Sequence, residues 1–124
     1  MDAAGLAHRE LSERVIGLFY DTYNELGFGF LESVYESAFA FQLEQAGIRV
    51  HRQYPIEVRF KGHVVGEFRA DLLIEQVLLV EIKSATSLLP IHEAQLLNYL
   101  KATRIRVGLL VNFGPRPHFR RRVL

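Results

Sequence analysis

Two apolar, strand-like runs joined by a tight turn constrain the fold of this chain more than any other segment. They read "FRADLLIEQVLLVEIKSA" over residues 68–85. If the runs pair as an antiparallel hairpin symmetric about residue 76, Asp71 and Glu81 face each other and point the same way. Lys83 lies two residues after Glu81 and shares that face. The segment therefore predicts a patch of two carboxylates and one ammonium on a sheet.

The paired carboxylates predict a cation. Carboxylates directly across a ladder repel each other, and Lys83 offsets only part of that repulsion. Mg²⁺ and Mn²⁺ prefer carboxylate and carbonyl oxygens, so the peptide carbonyl of Ile82 is a further candidate ligand. The spacing alone also allows a simpler interpretation. In it, Asp71 lies on a solvated face and Glu81–Lys83 is an exposed ion pair, worth less than ~1 kcal/mol.

The rest of the chain predicts helices and strands around this hairpin. Helical spacing of apolar residues indicates helices over about 6–25 and 31–45, and "IRVHRQYPIEVRF" indicates a strand before the hairpin. A third helix begins at Pro90, and "VGLLVNF" is a final buried strand. Because a helix links the last two strands, they pair in parallel. We predict an α/β (α+β) fold of order α-α-β-β-β-α-β, with helices flanking a mixed four-stranded sheet.

Chain length, cysteine content and net charge limit the domain count and the kinds of site that this protein can contain. A chain of 124 residues predicts one domain, spanning 1–124. The absence of cysteine excludes disulfides and thiolate metal sites. A net charge of +1 does not by itself indicate a nucleic-acid binder. Residues 115–124 are expected to form a basic tail, either a solvated terminus or a phosphate-contacting arm.

The sequence carries no targeting or membrane signal. The stretch "MDAAGLAHRELSERV" has an early acid and no long apolar run. No segment reaches the ~18 apolar residues of a membrane span. We therefore expect a cytoplasmic protein that has no membrane partner.

The order of these motifs resembles that of the PD-(D/E)XK nuclease superfamily. Asp71 precedes "EIK" at 81–83, after two helices and a strand and before a helix. A closer resemblance is to the small bacterial GxxExxY group, whose motif stands here as "GFLESVY" over 29–35. The resemblance covers roughly residues 11–113. It departs from the superfamily pattern at Ala70, where proline is common.

The resemblance implies a restriction-endonuclease-like core and a role for each matching residue. Asp71 and Glu81 would be metal ligands, Lys83 the catalytic lysine, and Glu32 an additional acid that contacts the metal directly or through water. The implied cofactor is Mg²⁺ (or Mn²⁺). The implied activity is metal-dependent hydrolysis of phosphodiester bonds in nucleic acid, with DNA favoured over RNA. A homodimer is also carried over by resemblance.

The helix after the "EIK" strand adds two candidates. Gln95 and Tyr99 match a Q-x-x-x-Y pattern of exonuclease-like branches, where these residues position the substrate or the lysine. They lie four apart and so share a helix face, although a half-exposed face with an amphipathic tyrosine fits the spacing too. In the GxxExxY motif, Tyr35 is expected in the core and Gly29 to meet a backbone requirement. Glu32 also suits a first helical turn, where an acid meets the helix dipole.

Two competing functions remain open at the sequence level. The first is a catalytically silent module that binds nucleic acid or protein on the same fold. The second is a structural interaction protein whose charges lie on a solvated face. The complete set of Glu32, Asp71, Glu81 and Lys83 argues against a degenerate site, because decay removes one or more of these residues.

Overall fold

The computed structural model describes residues 8–124, which form three helices and one five-stranded sheet. The elements are α1 (Arg9–Leu26), α2 (Glu32–Gln45), β1 (Val50–Phe60), β2 (His63–Ile74), β3 (Leu78–Lys83), α3 (Pro90–Thr103), β4 (Val107–Asn112) and β5 (His118–Val123). The strands follow in the order β1-β2-β3-β4-β5, and only β3 and β4 pair in parallel. The α/β fold class with a mixed sheet is confirmed. None of the helices within residues 8–124 is long and apolar enough to cross a membrane.

The prediction of a four-stranded sheet with a basic tail is wrong, because residues 118–123 form the edge strand β5. It pairs antiparallel with β4, from Val107 opposite Val123 to Asn112 opposite His118. Phe119 packs against the core on one face of the sheet. On the other face, the arginines at 120 and 122 both reach Glu93 of α3. Pairing with β4 and these ion pairs stabilise a segment whose own sequence has few apolar residues.

A large aromatic core fills the side of the sheet that faces α1 and α2. Phe113 stacks on Tyr35 with ring centroids 4.5 Å apart and meets Phe19 edge-on at 4.8 Å. The hydroxyl of Tyr35 donates to the carbonyl of Gly27 and accepts the N–H of Phe30 at 3.2 Å. Tyr35 is therefore a core residue, as predicted, and its hydroxyl holds the loop between α1 and α2.

The motif glycine lies in that loop. Gly29 has φ 119°, a conformation that side-chain-bearing residues rarely adopt. The expectation of a backbone requirement at Gly29 is confirmed.

A smaller cluster lies on the opposite side, under α3. It comprises Ile56, Ala70, Leu73, Leu79, Tyr99 and Leu100. Gly108 of β4 allows α3 to approach the sheet, since an added Cβ would lie 2.8 Å from a methyl group of Leu96. This contact holds α3 over β3 and β4.

The β1–β2 hairpin projects beyond the sheet. β2 pairs with β1 over most of its length but with β3 only from Leu72 to Ile74. The distal half of the hairpin therefore has no third strand beside it. Phe60, near its tip, is 63% exposed. Of the alternating apolar residues Ile56, Val58 and Phe60 of β1, Ile56 alone is buried.

Candidate active site

The end of the β2–β3 ladder brings two carboxylates together. Leu72, Leu73 and Ile74 pair with Val80, Leu79 and Leu78, a register symmetric about residue 76, as predicted. Asp71 and Glu81 come next along the two strands, where the regular pairing ends. The hairpin register therefore places both acids at the same end of the sheet.

Asp71 lies where β2 changes face. Alternate residues of a regular strand share a face, yet Ala70 packs under α3 and Leu72 packs on the α1–α2 side. Gln53, the neighbour on β1 at this level, has φ 53°, which is unusual for a residue with a side chain. This irregularity aims Asp71 along the sheet, and its Oδ2 accepts the N–H of Ile82 at 2.7 Å. The carboxylate takes the position of a missing ladder partner.

Glu81 is a buried acid with a raised pKa. Its residue is 5% exposed, and its Oε1 has no hydrogen-bond partner among residues 8–124. Burial, and after it the hydrogen bond and charge of Asp71, raise the pKa of Glu81 to about 9, against the lowering effect of Lys83. Without a cation, Glu81 therefore keeps a proton at neutral pH. The alternative of an exposed Glu81–Lys83 ion pair is wrong, because Glu81 is buried.

The two acids fit a hard divalent cation. Mg²⁺ is commonly held by one or two carboxylates together with waters and substrate phosphates. A buried carboxylate oxygen without a partner, next to a second carboxylate, is a donor set of that kind. Within residues 8–124, no group of three His, Asp or Glu side chains is arranged to hold a metal ion. Glu32 is exposed in the first turn of α2.

Glu36, one helical turn after Glu32, is an acid that sequence reasoning missed. Its Oε1 accepts Nε2 of Gln53 at 2.7 Å, and its Oε2 accepts Nη2 of Arg52 at 2.9 Å. The same Gln53 nitrogen lies 3.4 Å from Oδ1 of Asp71. Glu36 therefore reaches Asp71 through Gln53. The sequence signal that could have identified Glu36 was its spacing from Glu32, because residues four apart lie on one face of a helix.

Helix α3 brings the predicted Gln95–Tyr99 pair to the carboxylates. Nε2 of Gln95 donates to the hydroxyl of Tyr99 at 3.0 Å. Burial and the negative charges of Glu81 and Asp71 raise the pKa of Tyr99, and the hydrogen bond from Gln95 opposes this shift. Tyr99 therefore lies close enough to interact electrostatically with both acids. Its hydroxyl stays neutral and available for hydrogen bonding.

Asn112 at the end of β4 holds the loop between β3 and α3, and sequence reasoning missed it. Its side chain accepts the N–H of Ala85 and donates to the carbonyl of Ala85, each at 2.9 Å. Asn112 pairs with Lys83 across the parallel ladder. An added Cβ on Gly114 would lie 1.9 Å from the carbonyl oxygen of Ala85. The signal in the sequence was an asparagine at the end of the apolar run "VGLLVN". Its side chain is fully buried, and we call its two hydrogen bonds to Ala85 the Asn112 clamp.

Comparisons with known proteins agree with this architecture. A family model described as the PD-(D/E)XK nuclease superfamily matches residues 9–123. The crystal structure of a protein called SSO0001 superposes with a TM-score of 0.59 at 23% identity and covers 73% of this chain. At that identity the likeness shows the fold alone, and the chain spans 48% of that protein's length. No curated protein matches the chain.

Proposed function

Because the chain belongs to the PD-(D/E)XK nuclease superfamily, we propose that it is a metal-dependent nuclease that cleaves phosphodiester bonds in nucleic acid, with DNA favoured over RNA. One observation carries the proposal. Asp71 and Glu81 meet at the end of the β2–β3 ladder, and Glu81 has a buried oxygen with no partner among the described residues. An apolar strand would not retain such a pair for stability, since burying it is costly.

Asp71, Glu81 and the carbonyl of Ile82 would hold Mg²⁺ or Mn²⁺, with Glu32 contacting the ion directly or through water. When bound, the cation would supply Lewis-acid polarisation of the scissile phosphate. Asp71 is oriented for this role by the N–H of Ile82 and by Gln53. To serve as a ligand, Glu81 would release the proton that its raised pKa retains in the metal-free protein.

Lys83 stabilises the negative charge that develops on the phosphate oxygens. It is half-buried and lies two residues beyond Glu81 on β3. Its backbone carbonyl accepts the N–H of Phe113 at 2.7 Å, which holds this end of the strand in place. Tyr99, oriented by Gln95, supplies a hydroxyl near the carboxylates that positions the substrate or the lysine.

We also propose that the chain belongs to the GxxExxY group within the superfamily. The positive φ of Gly29 and the hydrogen bonds from Tyr35 to its loop support a structural role for two of the motif residues. Glu32 would be the functional member of the motif. We propose further that residues 1–124 act as a single nuclease-like domain, which the family match over residues 9–123 supports.

The first experiment measures cleavage of labelled single-stranded, duplex and branched DNA and of RNA with Mg²⁺ or Mn²⁺. We expect the wild type to cut at least one substrate, EDTA to abolish cutting, and Lys83→Ala to lower the rate by about 100-fold or more, as for removal of an electrostatic stabiliser. Lys61→Ala is the matched control, because Lys61 is an exposed lysine near the tip of the hairpin. Circular dichroism confirms that each variant is folded.

Calorimetric titration with Mn²⁺ gives a readout that does not depend on activity. We expect wild type to bind and Asp71→Asn to bind at least about 10-fold more weakly, because a ligating charge is lost. Binding without cleavage of any substrate would favour the silent binding module. Absence of both would contradict the nuclease and the metal site together.

Location and assembly complete the proposal. We propose a cytoplasmic protein, as expected from the sequence, and a homodimer, which is carried over by resemblance to the superfamily. Fluorescence microscopy of a tagged chain and analytical ultracentrifugation test these two statements.

A further inference from the structure

A groove runs between α3 and the projecting half of the β1–β2 hairpin. Its volume is about 970 Å³. The hairpin contributes Arg59 and Phe68, and α3 with its C-cap contributes Asn98, Lys101 and Arg104. Gln95 and Tyr99 line the same groove, so it borders the candidate active site, although the two carboxylates and Lys83 are not among its lining residues. The size falls at the upper end of typical ligand sites.

An aromatic ring stands in the wall of this groove. Phe68 is 46% exposed, although it packs against Tyr99 with ring centroids 5.8 Å apart. Exposing this much of a large apolar side chain is unfavourable in the free protein. Phe68 is therefore supported from behind by Tyr99 and accessible from the groove. Any of the nucleobases can stack on a ring presented in this way, because each base has a π-face.

The charge of the groove complements a phosphate backbone. Lys101 and Arg104 are exposed, and neither makes an ion pair with another described residue within 4.0 Å. Arg59 is paired with Glu57 at 2.7 Å, so those two charges offset each other. The groove therefore has a net positive charge, beside a cluster that contains Asp71 and Glu81. Cations interleaved with an aromatic ring are typical of single-strand binding.

We infer that this groove binds a single nucleic-acid strand, with a base stacked on Phe68 and phosphates at Lys101 and Arg104. The inference rests on the proposed nuclease function, because the groove would lead one strand to the carboxylates. It names the substrate of that site as a single strand or an unpaired end of a duplex. An ordinary duplex keeps its bases stacked on one another and offers none to Phe68.

Fluorescence anisotropy in EDTA tests binding without cleavage, using a labelled oligothymidine of about 12 nucleotides, within the site size of single-strand binders. We expect Phe68→Ala to raise Kd by about 5- to 150-fold, the range for losing one stacked base. Phe60→Ala is the matched control, because Phe60 is an exposed phenylalanine of the same hairpin outside the groove. Phe68→Leu keeps apolar packing against Tyr99 and should also weaken binding, which separates stacking from folding.

The salt dependence tests the phosphate contacts. Lys101→Ala should make the slope of log Kobs against log salt shallower by about 0.7, the value for one single-strand phosphate contact, and Lys61→Ala should not. Unchanged binding by Phe68→Ala, or a duplex competitor as effective as the single strand, would overturn the inference. So would a groove variant that changes only the oligomeric state, since the occupant would then be a second copy of the chain.

The same samples separate the groove from the nuclease. If wild type cleaves and Phe68→Ala binds and cleaves equally well, the groove assignment is wrong and the nuclease stands. If wild type binds the oligonucleotide through Phe68 but cuts nothing with Mg²⁺ or Mn²⁺, the nuclease is wrong and the groove stands.

Discussion

The two faces of the sheet are covered by different kinds of side chain. On the α1–α2 side, rings of Phe19, Phe39, Phe113 and Tyr35 interlock with almost no exposed surface. On the α3 side, the apolar cluster is small and gives way to the buried Glu81, the half-buried Asp71 and the buried amide of Asn112 at the strand ends. The first face can hold the fold together, so the second can retain polar groups that cost stability.

Truncation in the aromatic core should have the largest effect. Phe113→Ala removes a buried ring that contacts Tyr35 and Phe19, and we expect it to lower the free energy of unfolding by about 3–5 kcal/mol. Urea denaturation measures this loss. Phe60→Ala, at an exposed ring, should stay within about 0.5 kcal/mol of wild type. Equal losses in the two variants would contradict the stabilising role of the aromatic core.

The α3 side should behave in the opposite way, because replacing its buried ionisable group by a neutral one stabilises the metal-free protein. The pKa of Glu81 is raised from 4.5 to about 9 in the folded chain. Between these values the unfolded chain has lost a proton that the folded chain keeps. The free energy of unfolding of the metal-free protein should therefore fall as pH rises, by up to about 1.4 kcal/mol per pH unit.

Glu81→Gln should flatten this pH dependence and raise stability above pH 5 in EDTA. Exposed Glu67 provides the control, since Glu67→Gln should leave the slope intact. Urea denaturation midpoints of the wild type and both variants across pH 5–9 measure these slopes. A slope that persists in Glu81→Gln would assign the pH dependence to another group.

The smallest effects should distinguish Glu36 from Glu32 on α2. Glu36→Gln weakens the support of Asp71 through Gln53, and we expect Mn²⁺ affinity to fall by about 10-fold, as for loss of an outer partner. The stability of Glu36→Gln should also fall, because the ion pair between Arg52 and Glu36 is lost. Glu32→Gln should lower cleavage with unchanged stability, since Glu32 is exposed. Calorimetry and denaturation of both variants check these outcomes, and identical behaviour would remove the distinction.

Sequence patterns predicted the parts of this molecule that depend on local periodicity. The register of Asp71 and Glu81 followed from a hairpin centred on residue 76, and the start of α3 followed from Pro90. The pairing of Gln95 with Tyr99 followed from helical spacing, and their hydrogen bond is observed. In each case the relevant neighbours are close along the chain or related by a regular ladder.

The missed features depend on contacts between distant segments. β5 is a strand because β4 and Glu93 are beside it, and its arginine-rich sequence does not predict a strand alone. The face change at Asp71 depends on the positive φ of Gln53, which no periodic pattern indicates. The roles of Glu36 and Asn112 likewise come from partners 17 and 27 residues away.

The Asn112 clamp has a consequence for biosynthesis. A growing chain that has emerged only as far as α3 already contains both carboxylates, yet the loop at Ala85 still lacks the amide that holds it. Parallel pairing of β3 with β4 is a late event, since it must close a long connection. We therefore expect the candidate active site to assemble only after β4 has emerged. A chain that stops before β4 should then lack the proposed nuclease activity.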